Sequence, residues 1–112
     1  MENLSIQTET NGSVAVMTLI GRIDSETSPT LDAELTKVVG RNVKLVLDLK
    51  GVDYMSSAGI RAVIKAAQAA EKSGGVVKLA SIPEEVRSVL YTVGLTQKVG
   101  TYSTVNEAIG SF

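Results

Sequence analysis

The middle third of the sequence alternates between strand and helix patterns, and this alternation limits the fold more than any other feature. Val43 to Leu49 is a β-branched and Leu-rich run that is typical of a central strand. Apolar residues then recur at helical spacing from Ile60 to Ala70, and Ser73-Gly74-Gly75 ends that pattern. Val76 to Ala80 is a second, short strand. Two strands joined by a helix of about 16 residues predict a right-handed crossover and a largely parallel core.

The N-terminal region predicts a β-hairpin beside this core. Apolar and polar residues alternate from Leu4 to Thr8, the pattern of a half-buried strand, and Asn11-Gly12 follows as a turn signal. Val14 to Ile20 is apolar and rich in strand-forming residues, so we expect it to return antiparallel and to lie deeper in the sheet. The hairpin makes the predicted sheet mixed.

Capping residues indicate three further helices. Ser28-Pro29 has the pattern of an N-cap followed by proline at the first helical position, and we expect Gly40 to end that helix. Pro83 opens a helix that Gly94 closes. Thr104 begins a short last helix through a Thr-x-x-Glu capping box.

These elements together predict an α/β fold. Val99 to Tyr102 adds one more short strand, which gives a single mixed sheet of four to five strands with about four helices packed on it. No linker or internal repeat divides the chain, so we expect residues 1–112 to form one domain. In such a sheet, the loop that leaves the carboxyl end of a strand is the usual place for function.

The composition excludes several kinds of site. The 112 residues include no His and no Cys, which excludes a Ser-His-Asp triad, a cysteine nucleophile, a zinc finger and a disulfide within this chain. The 11 Lys and Arg residues are spread singly and balanced by 12 Asp and Glu, so no basic patch predicts a nucleic-acid partner. Since there is no basic and apolar leader and no run of about 18 apolar residues, we expect a cytoplasmic protein without a membrane segment.

The segment from Asp53 to Ile60 leads from the end of a buried strand to the start of a helix, and two interpretations of it stay open. Ser56 is suited to be an N-cap, with Ala58 and Gly59 small so that the helix lies close to the sheet. The same helix N-terminus carries roughly +0.5 charge and free N–H groups, which favour an anion. A phosphoryl group on Ser57 would be held there without unfolding the domain.

Four motifs stand in a fixed order along the chain. They are Gly21 to Asp24, Val46 to Leu49, Tyr54 to Ile60, and Pro83 with Val93-Gly94-Leu95. Together they resemble the Gly-x-Leu-Asp, Val-Leu-Asp-Leu, Asp-Ser-Ser/Thr-Gly-Leu and third-helix motifs of the STAS domain family, specifically its bacterial anti-sigma factor antagonists of the sporulation and stress-response type. The resemblance implies the STAS fold for the whole chain.

The resemblance also implies a modification site. Ser57 matches the serine that is phosphorylated by a partner anti-sigma factor with serine kinase activity, and Ser56 is the other candidate. Asp24 matches the acidic residue beside that serine. The resemblance further implies a PP2C-type phosphatase as a second partner, and a weak homodimer is left open. The chain departs from the family motif at Ser56, where the family has an acid, and at Ala58, where it has a small hydroxyl residue.

The function implied by the resemblance is partner switching. The unphosphorylated protein would bind an anti-sigma factor and release a sigma factor, and phosphate on Ser57 would abolish that binding. The expected partner-binding residues are Asp24, Tyr54, Met55, Ser56, Ala58, Gly59, Arg61 and Lys65. For Arg61 and Lys65, the alternative is that they are solvated helix positions without a partner.

Two other functions compete with the switch. STAS domains also serve as constitutive protein-interaction modules, as subunits of stressosomes or lipid-transport complexes, without a serine switch. A small enzyme or nucleotide-binding protein would use Asp24, Asp48 and Asp53 as acid, base or Mg²⁺ ligands. Against an enzyme, the sequence has no Gly-x-x-x-x-Gly-Lys loop and no nucleophile with an adjacent base. We therefore expect no catalytic residues, no cofactor and no metal.

Overall fold

The computed structural model describes residues 4–41, 44–92, 94–95 and 99–112, which form five strands and four helices. The strands are β1 (Leu4–Asn11), β2 (Val14–Ile23), β3 (Lys44–Met55), β4 (Val76–Ala80) and β5 (Thr101–Tyr102). The helices are α1 (Ser28–Arg41), α2 (Ser57–Lys72), α3 (Glu84–Thr92) and α4 (Val105–Gly110). The predicted places of Val43 in the third strand and of Val93 in the third helix lie outside the described residues.

The strands lie in the sheet in chain order, β1-β2-β3-β4-β5, and the sheet is mixed as predicted. β1 and β2 pair antiparallel as a hairpin, whereas the other neighbours pair parallel. Each parallel pair needs a crossover, and α1, α2 and α3 supply these connections. Because the strand order advances in one direction, crossovers of the same hand place these three helices on one face of the sheet.

The main core lies between that face and helices α1 to α3. Its fully buried side chains include Met17, Leu19, Leu47 and Leu49 of the strands and Leu31, Leu35 and Leu90 of the helices. α4 covers part of the opposite face, where Val14, Val46, Ala80 and Ala108 are buried together. Lys78 lies under α4, and its ammonium donates hydrogen bonds to the backbone oxygen and the hydroxyl of Ser111 at 3.0 and 2.6 Å. α4 is therefore held by both apolar and polar contacts.

The hairpin turn lies one residue later than its sequence signal predicts. Asn11 is still paired with Val14, so the two-residue loop is Gly12-Ser13 and not Asn11-Gly12. Gly12 has a φ of +64°, whereas Ser13 does not have a positive φ. A type II′ turn has a positive φ at its first central residue only, and glycine usually occupies that position. The twist of this turn matches the twist of the flanking strands.

Strand β3 is longer than its hydrophobic pattern predicts. The pattern ends at Leu49, but β3 continues to Met55 because its second half pairs in parallel with the end of β2. The register shifts near Ile20, and a Cβ added to Gly51 would lie 2.9 Å from Cγ1 of Ile20. This extension depends on the neighbouring strand, so local periodicity does not reveal it. In consequence, only the N-cap Ser56 separates the end of β3 from the start of α2 at Ser57.

Two predicted helix boundaries are confirmed by their hydrogen bonds. The N–H of Gly75 donates to the oxygen of Ala70 at 2.7 Å and Gly74 has a φ of +80°, so the glycine pair ends α2. Thr104 caps α4 by accepting a hydrogen bond from the N–H of Glu107 at 3.1 Å. None of the helices traced in the described part of the chain is long and apolar enough to cross a membrane.

Three other predicted boundaries are wrong. Ser28 is not the N-cap of α1, because it is itself helical and buried, and the N–H of Leu31 bonds to the oxygen of Thr27 at 3.1 Å. The turn before Ser28 starts the helix instead. At its other end, α1 does not stop at Gly40 and continues to Arg41. The last strand is restricted to Thr101–Tyr102 and does not begin at Val99.

Candidate functional site

The carboxyl ends of β2 and β3 lie side by side and bring together two regions singled out in the sequence. The strand register pairs Ile23 with Met55, and the N–H of Ser56 donates to the oxygen of Ile23 at 2.7 Å. Asp24 follows β2, and Ser57 follows the end of β3. Both residues therefore lie at the carboxyl ends of parallel strands, where the loops of α/β folds usually carry function.

Ser56 is the N-cap of α2, as the sequence predicts. Its backbone is extended, with φ −84° and ψ 171°, and its Oγ accepts a hydrogen bond from the N–H of Gly59 at 3.3 Å. The side chain is half-buried. The Oγ of Ser56 is therefore already engaged in the start of the helix.

Ser57 is the first residue of α2 and is exposed. Its hydroxyl forms no hydrogen bond with another residue of the described part of the chain. The cap from Ser56 uses the N–H of Gly59, and the N–H groups of Ser57 and Ala58 lie in the first turn, where a helix has no internal acceptor. The Ser57 oxygen is therefore accessible, and it lies at the positive end of the helix.

Two residues expected to contact a partner lie beneath the surface. Met55 is only 4% exposed, and Gly59 is buried. A Cβ on Gly59 would overlap Cγ2 of Ile23, so glycine is what allows the first turn of α2 to rest on the end of β2. Met55 and Gly59 therefore position the surface and do not present side chains on it. The other expected positions on β3 and α2 are exposed or half-buried: Tyr54, Ser56, Ala58, Arg61 and Lys65.

Asp24 organises the turn before α1. Its Oδ1 accepts hydrogen bonds from the N–H groups of Glu26 at 2.9 Å and Thr27 at 3.0 Å. The bond from the Thr27 N–H is the main reason why the pKa of Asp24 lies below its ordinary value; desolvation opposes the shift, and Arg22 adds to it. Nε of Arg22 lies 3.7 Å from Oδ2 of Asp24. Asp24 is thus a fixed negative charge at the edge of the site.

Arg22 and Tyr54 form a stacked pair beside Asp24. The guanidinium of Arg22 lies 4.4 Å from the ring centroid of Tyr54, within the range of a cation–π interaction. The two residues are register partners on β2 and β3. The sequence motif includes Arg22, but its contact with Tyr54 depends on strand register, which no local pattern specifies. Tyr54 is 43% exposed, so the pair is available to a partner.

A groove between α1 and α2 extends the site along the helix that Ser57 begins. It encloses about 300 Å³. Its apolar lining includes Pro29, Ala58 and Ala62, and its charged lining consists of Asp32, Arg61 and Lys65. Nζ of Lys65 lies 3.2 Å from Oδ2 of Asp32. Arg61 is exposed and forms no ion pair with any carboxylate in the described ranges. Asp32 is a groove residue that sequence reasoning missed, because only the packing of α1 on α2 brings it to Lys65.

The three carboxylates considered for an acid-base or metal site each have a different environment. Asp24 holds its turn, Asp48 accepts a hydrogen bond from the N–H of Lys50 at 3.1 Å, and Asp53 is exposed on β3. Across the described residues, no three His, Cys, Asp or Glu side chains lie close enough together to hold a metal ion.

The sequence matches a known family over nearly its whole length. The family model described as the STAS domain matches residues 5–108. The chain belongs to the STAS domain family. The resemblance drawn from the four motifs is thereby confirmed.

Two curated relatives align with most of this STAS domain. The anti-sigma-F factor antagonist RsfB of Mycobacterium tuberculosis is 27% identical over 111 residues, which cover 96% of this chain and 88% of the relative. The anti-sigma-B factor antagonist of Bacillus subtilis is 26% identical over 93 residues, which cover 83% of this chain and 85% of the relative. This STAS domain is thus similar to proteins named as antagonists of anti-sigma factors.

Solved structures have the same fold. An anti-sigma factor antagonist from Mycobacterium paratuberculosis has a TM-score of 0.88 to this STAS domain at 24% identity, covering 96% of this chain and 92% of that one. The Bacillus cell fate determinant SpoIIAA, in its phosphorylated form, has a TM-score of 0.75 at 21% identity, covering 96% of this chain and 98% of that one. The single mixed sheet with its packed helices is therefore the STAS fold.

Proposed function

We propose that this STAS domain is an anti-sigma factor antagonist that works by partner switching, with Ser57 as the switch. The unphosphorylated domain binds an anti-sigma factor and so releases a sigma factor. The anti-sigma factor, acting as a serine kinase, phosphorylates Ser57 and ends the binding, and a PP2C-type phosphatase restores it. The names of the relatives support the class of partner. The observation that carries the proposal is the exposed Ser57 hydroxyl at the first position of α2.

The surface around Ser57 is suited to a switch because it combines apolar and charged groups that a partner can cover. Tyr54 and Ala58 supply apolar area beside the serine, and Asp24 supplies a fixed negative charge. A phosphate adds about −1.5 to −2 charges in the middle of this surface. In a covered interface, that charge is desolvated and repelled by Asp24. A loss on the order of 3 kcal/mol corresponds to roughly a hundredfold in affinity, enough for a switch.

The position of Ser57 also separates the switch from the stability of the fold. The N-cap is formed by Ser56, and the close contact with β2 is formed by Gly59, so neither depends on the Ser57 hydroxyl. A phosphate at the helix N-terminus is electrostatically favourable within the domain itself. The proposed modification therefore changes what the surface binds and leaves the helix in place.

Substitutions at Ser57 test the proposal. Ser57→Ala should bind the anti-sigma factor of the same organism as tightly as the wild type, whereas Ser57→Asp should bind about tenfold to a hundredfold more weakly because of its added charge. Ser88→Asp, on the exposed surface of α3, adds the same charge elsewhere and should bind normally. Isothermal titration calorimetry measures all four proteins.

A kinase reaction provides the second measurement. After incubation with the anti-sigma factor, ATP and Mg²⁺, the intact mass should rise by one phosphate, and peptide mapping should place it on Ser57. A phosphate on Ser56, or none, would contradict the proposed switch. Equal affinities for Ser57→Ala and Ser57→Asp would favour a constitutive interaction module of the stressosome or lipid-transport type.

A further inference from the structure

The two cations of the groove between α1 and α2 differ in their surroundings. Lys65 is held by Asp32, with Nζ and Oδ2 3.2 Å apart. Arg61 is exposed and has no carboxylate partner among the described residues. The charged lining therefore carries one more positive charge than negative, and Arg61 supplies that excess.

Arg61 also stands one helical turn after Ser57. Residues four apart on a helix are neighbours on its surface, with Cβ atoms about 5–6 Å apart. The guanidinium is therefore within reach both of the groove that it lines and of any group attached to the Ser57 oxygen. An anion that precedes a cation by four residues has the more favourable orientation for such a pair.

We propose that Arg61 reads the phosphorylation state of Ser57. In the unphosphorylated domain, its guanidinium binds an acidic side chain that the anti-sigma factor inserts into the groove. In the phosphorylated domain, the same guanidinium binds the Ser57 phosphate, and the acidic side chain loses its partner. This inference rests on the proposed function and specifies the chemistry of the partner at that site.

The groove favours an acidic group over an apolar or basic one. Its excess charge is positive, and the N-terminus of α2 adds a further partial positive charge nearby. Ala58, Ala62 and Pro29 line it with apolar surface, which would exclude water from an ion pair formed between the two proteins. Guanidinium groups bind carboxylates and phosphates through two parallel hydrogen bonds, so one residue suits both states.

The two states exclude each other because the phosphate is attached to the same helix. Its effective concentration at Arg61 exceeds that of any separate molecule, so it displaces an acidic side chain of similar affinity. Phosphorylation then weakens the complex in two ways: it repels the partner directly, and it withdraws the cation that bound it. Removing Arg61 should therefore lower the affinity of the unphosphorylated domain and reduce the effect of phosphorylation.

A measurement without the partner tests the intramolecular pair. Phosphoserine is incorporated at position 57 by an expanded genetic code, and the second ionisation of the phosphate is followed by ³¹P NMR. We expect the pKa of the phosphate to be about 0.2–0.4 unit higher in Arg61→Gln than in the domain with Arg61. Arg87→Gln, on the exposed surface of α3, is the matched control and should leave it unchanged. Equal phosphate pKa values with and without Arg61 would overturn the inference.

Binding measurements test the partner's side. We expect Arg61→Gln to weaken binding of the unphosphorylated domain to the anti-sigma factor about tenfold and Arg61→Lys to weaken it less, with Arg87→Gln unchanged. The ratio of affinities without and with phosphate should shrink in Arg61→Gln. Normal binding by Arg61→Gln alongside the wild type would overturn this inference and leave the proposed function standing. Failure of the wild type to bind any anti-sigma factor of its organism would overturn the proposed function itself.

Discussion

Ser56 and Ser57 are adjacent at the start of α2, but their hydroxyl groups have different surroundings. The Oγ of Ser56 is engaged with the N–H of Gly59 at 3.3 Å, whereas Ser57 is exposed at the first helical position. The sequence predicts Ser56 as the cap, and the resemblance implies Ser57 as the modified residue with Ser56 as the alternative. The cap geometry distinguishes them, because only an extended residue just before the helix can place its oxygen over the first-turn N–H groups.

The charge of Asp24 should stabilise the domain at neutral pH and not in acid. Hydrogen bonds to its carboxylate, chiefly from Thr27, lower its pKa below the ordinary 3.8. A lowered pKa gives stability that is present above the unfolded value and is lost as the pH falls through the folded value. Asp24→Asn keeps an acceptor oxygen but loses the charge, so its melting temperature should be lower than that of the wild type at neutral pH.

The difference in melting temperature between Asp24→Asn and the wild type should close as the pH falls below 3.8. Circular dichroism melts between neutral pH and strong acid measure it. Asp53→Asn, at an exposed position of β3, serves as the control and should show a smaller difference at neutral pH. A difference for Asp24→Asn that is independent of pH would mean that the carboxylate charge has no part in holding the turn.

The placement of α2 on β2 depends on the absence of a side chain at Gly59. A Cβ on Gly59 would overlap Cγ2 of Ile23, so Gly59→Ala must push the first turn of α2 away from the sheet. We expect a loss of about 1–3 kcal/mol in the free energy of unfolding, measured in urea. Because the first turn carries Ser57, phosphorylation by the anti-sigma factor should also slow.

Gly40→Ala in α1 provides the matched control. A Cβ there meets no atom within 4 Å, so the substitution should be neutral or stabilise the domain by up to about 1 kcal/mol through helix propensity. Equal destabilisation by both substitutions would show that the cost arises from the glycine backbone and not from the contact between α2 and Ile23.

Elements with strong local patterns are predicted from the sequence, and those that depend on a neighbour are not. Periodicity predicts the length of α2, and the glycine pair predicts its end just before Gly74, because both follow from local geometry. The extension of β3 to Met55 requires the end of β2 beside it. The site divides in the same way: Ser57 follows from the motif, whereas the contacts of Arg22 with Tyr54 and of Lys65 with Asp32 arise between distant segments.

The two faces of the sheet are covered unequally in the molecule as a whole. Helices α1, α2 and α3 pack on one face, and α4 packs on the other over Val14 and Val46, near the amino ends of β2 and β3. The site lies at the opposite ends of the same strands, where Ile20 and Tyr54 are 52% and 43% exposed. The proposed binding surface and the α4 contact are therefore separate, and a change at one should leave the other intact.

Lys78 tests that separation. Its ammonium is bound to Ser111 and lies 4.2 Å from the ring centroid of Phe112, so Lys78→Ala removes the polar anchor of α4. We expect Lys78→Ala to lower the free energy of unfolding by about 1.5–3 kcal/mol, which is the range for hydrogen bonds to a charged group. In native-state hydrogen exchange of Lys78→Ala, the amides of α4 should open with a smaller free energy than those of β2 and β3, which open only on global unfolding, while binding to the anti-sigma factor is unchanged.

The exposed ion pair of Lys37 with Glu34, 3.4 Å apart on α1, gives the control for Lys78→Ala. Lys37→Ala should cost less than about 1 kcal/mol, because solvent screens that pair. If the amides of α4 in Lys78→Ala instead opened with the same free energy as those of β2 and β3, α4 would unfold only together with the main core. Its contact with the sheet would then be part of one cooperative unit that includes the Ser57 site, and substitutions under α4 would be expected to weaken partner binding as well.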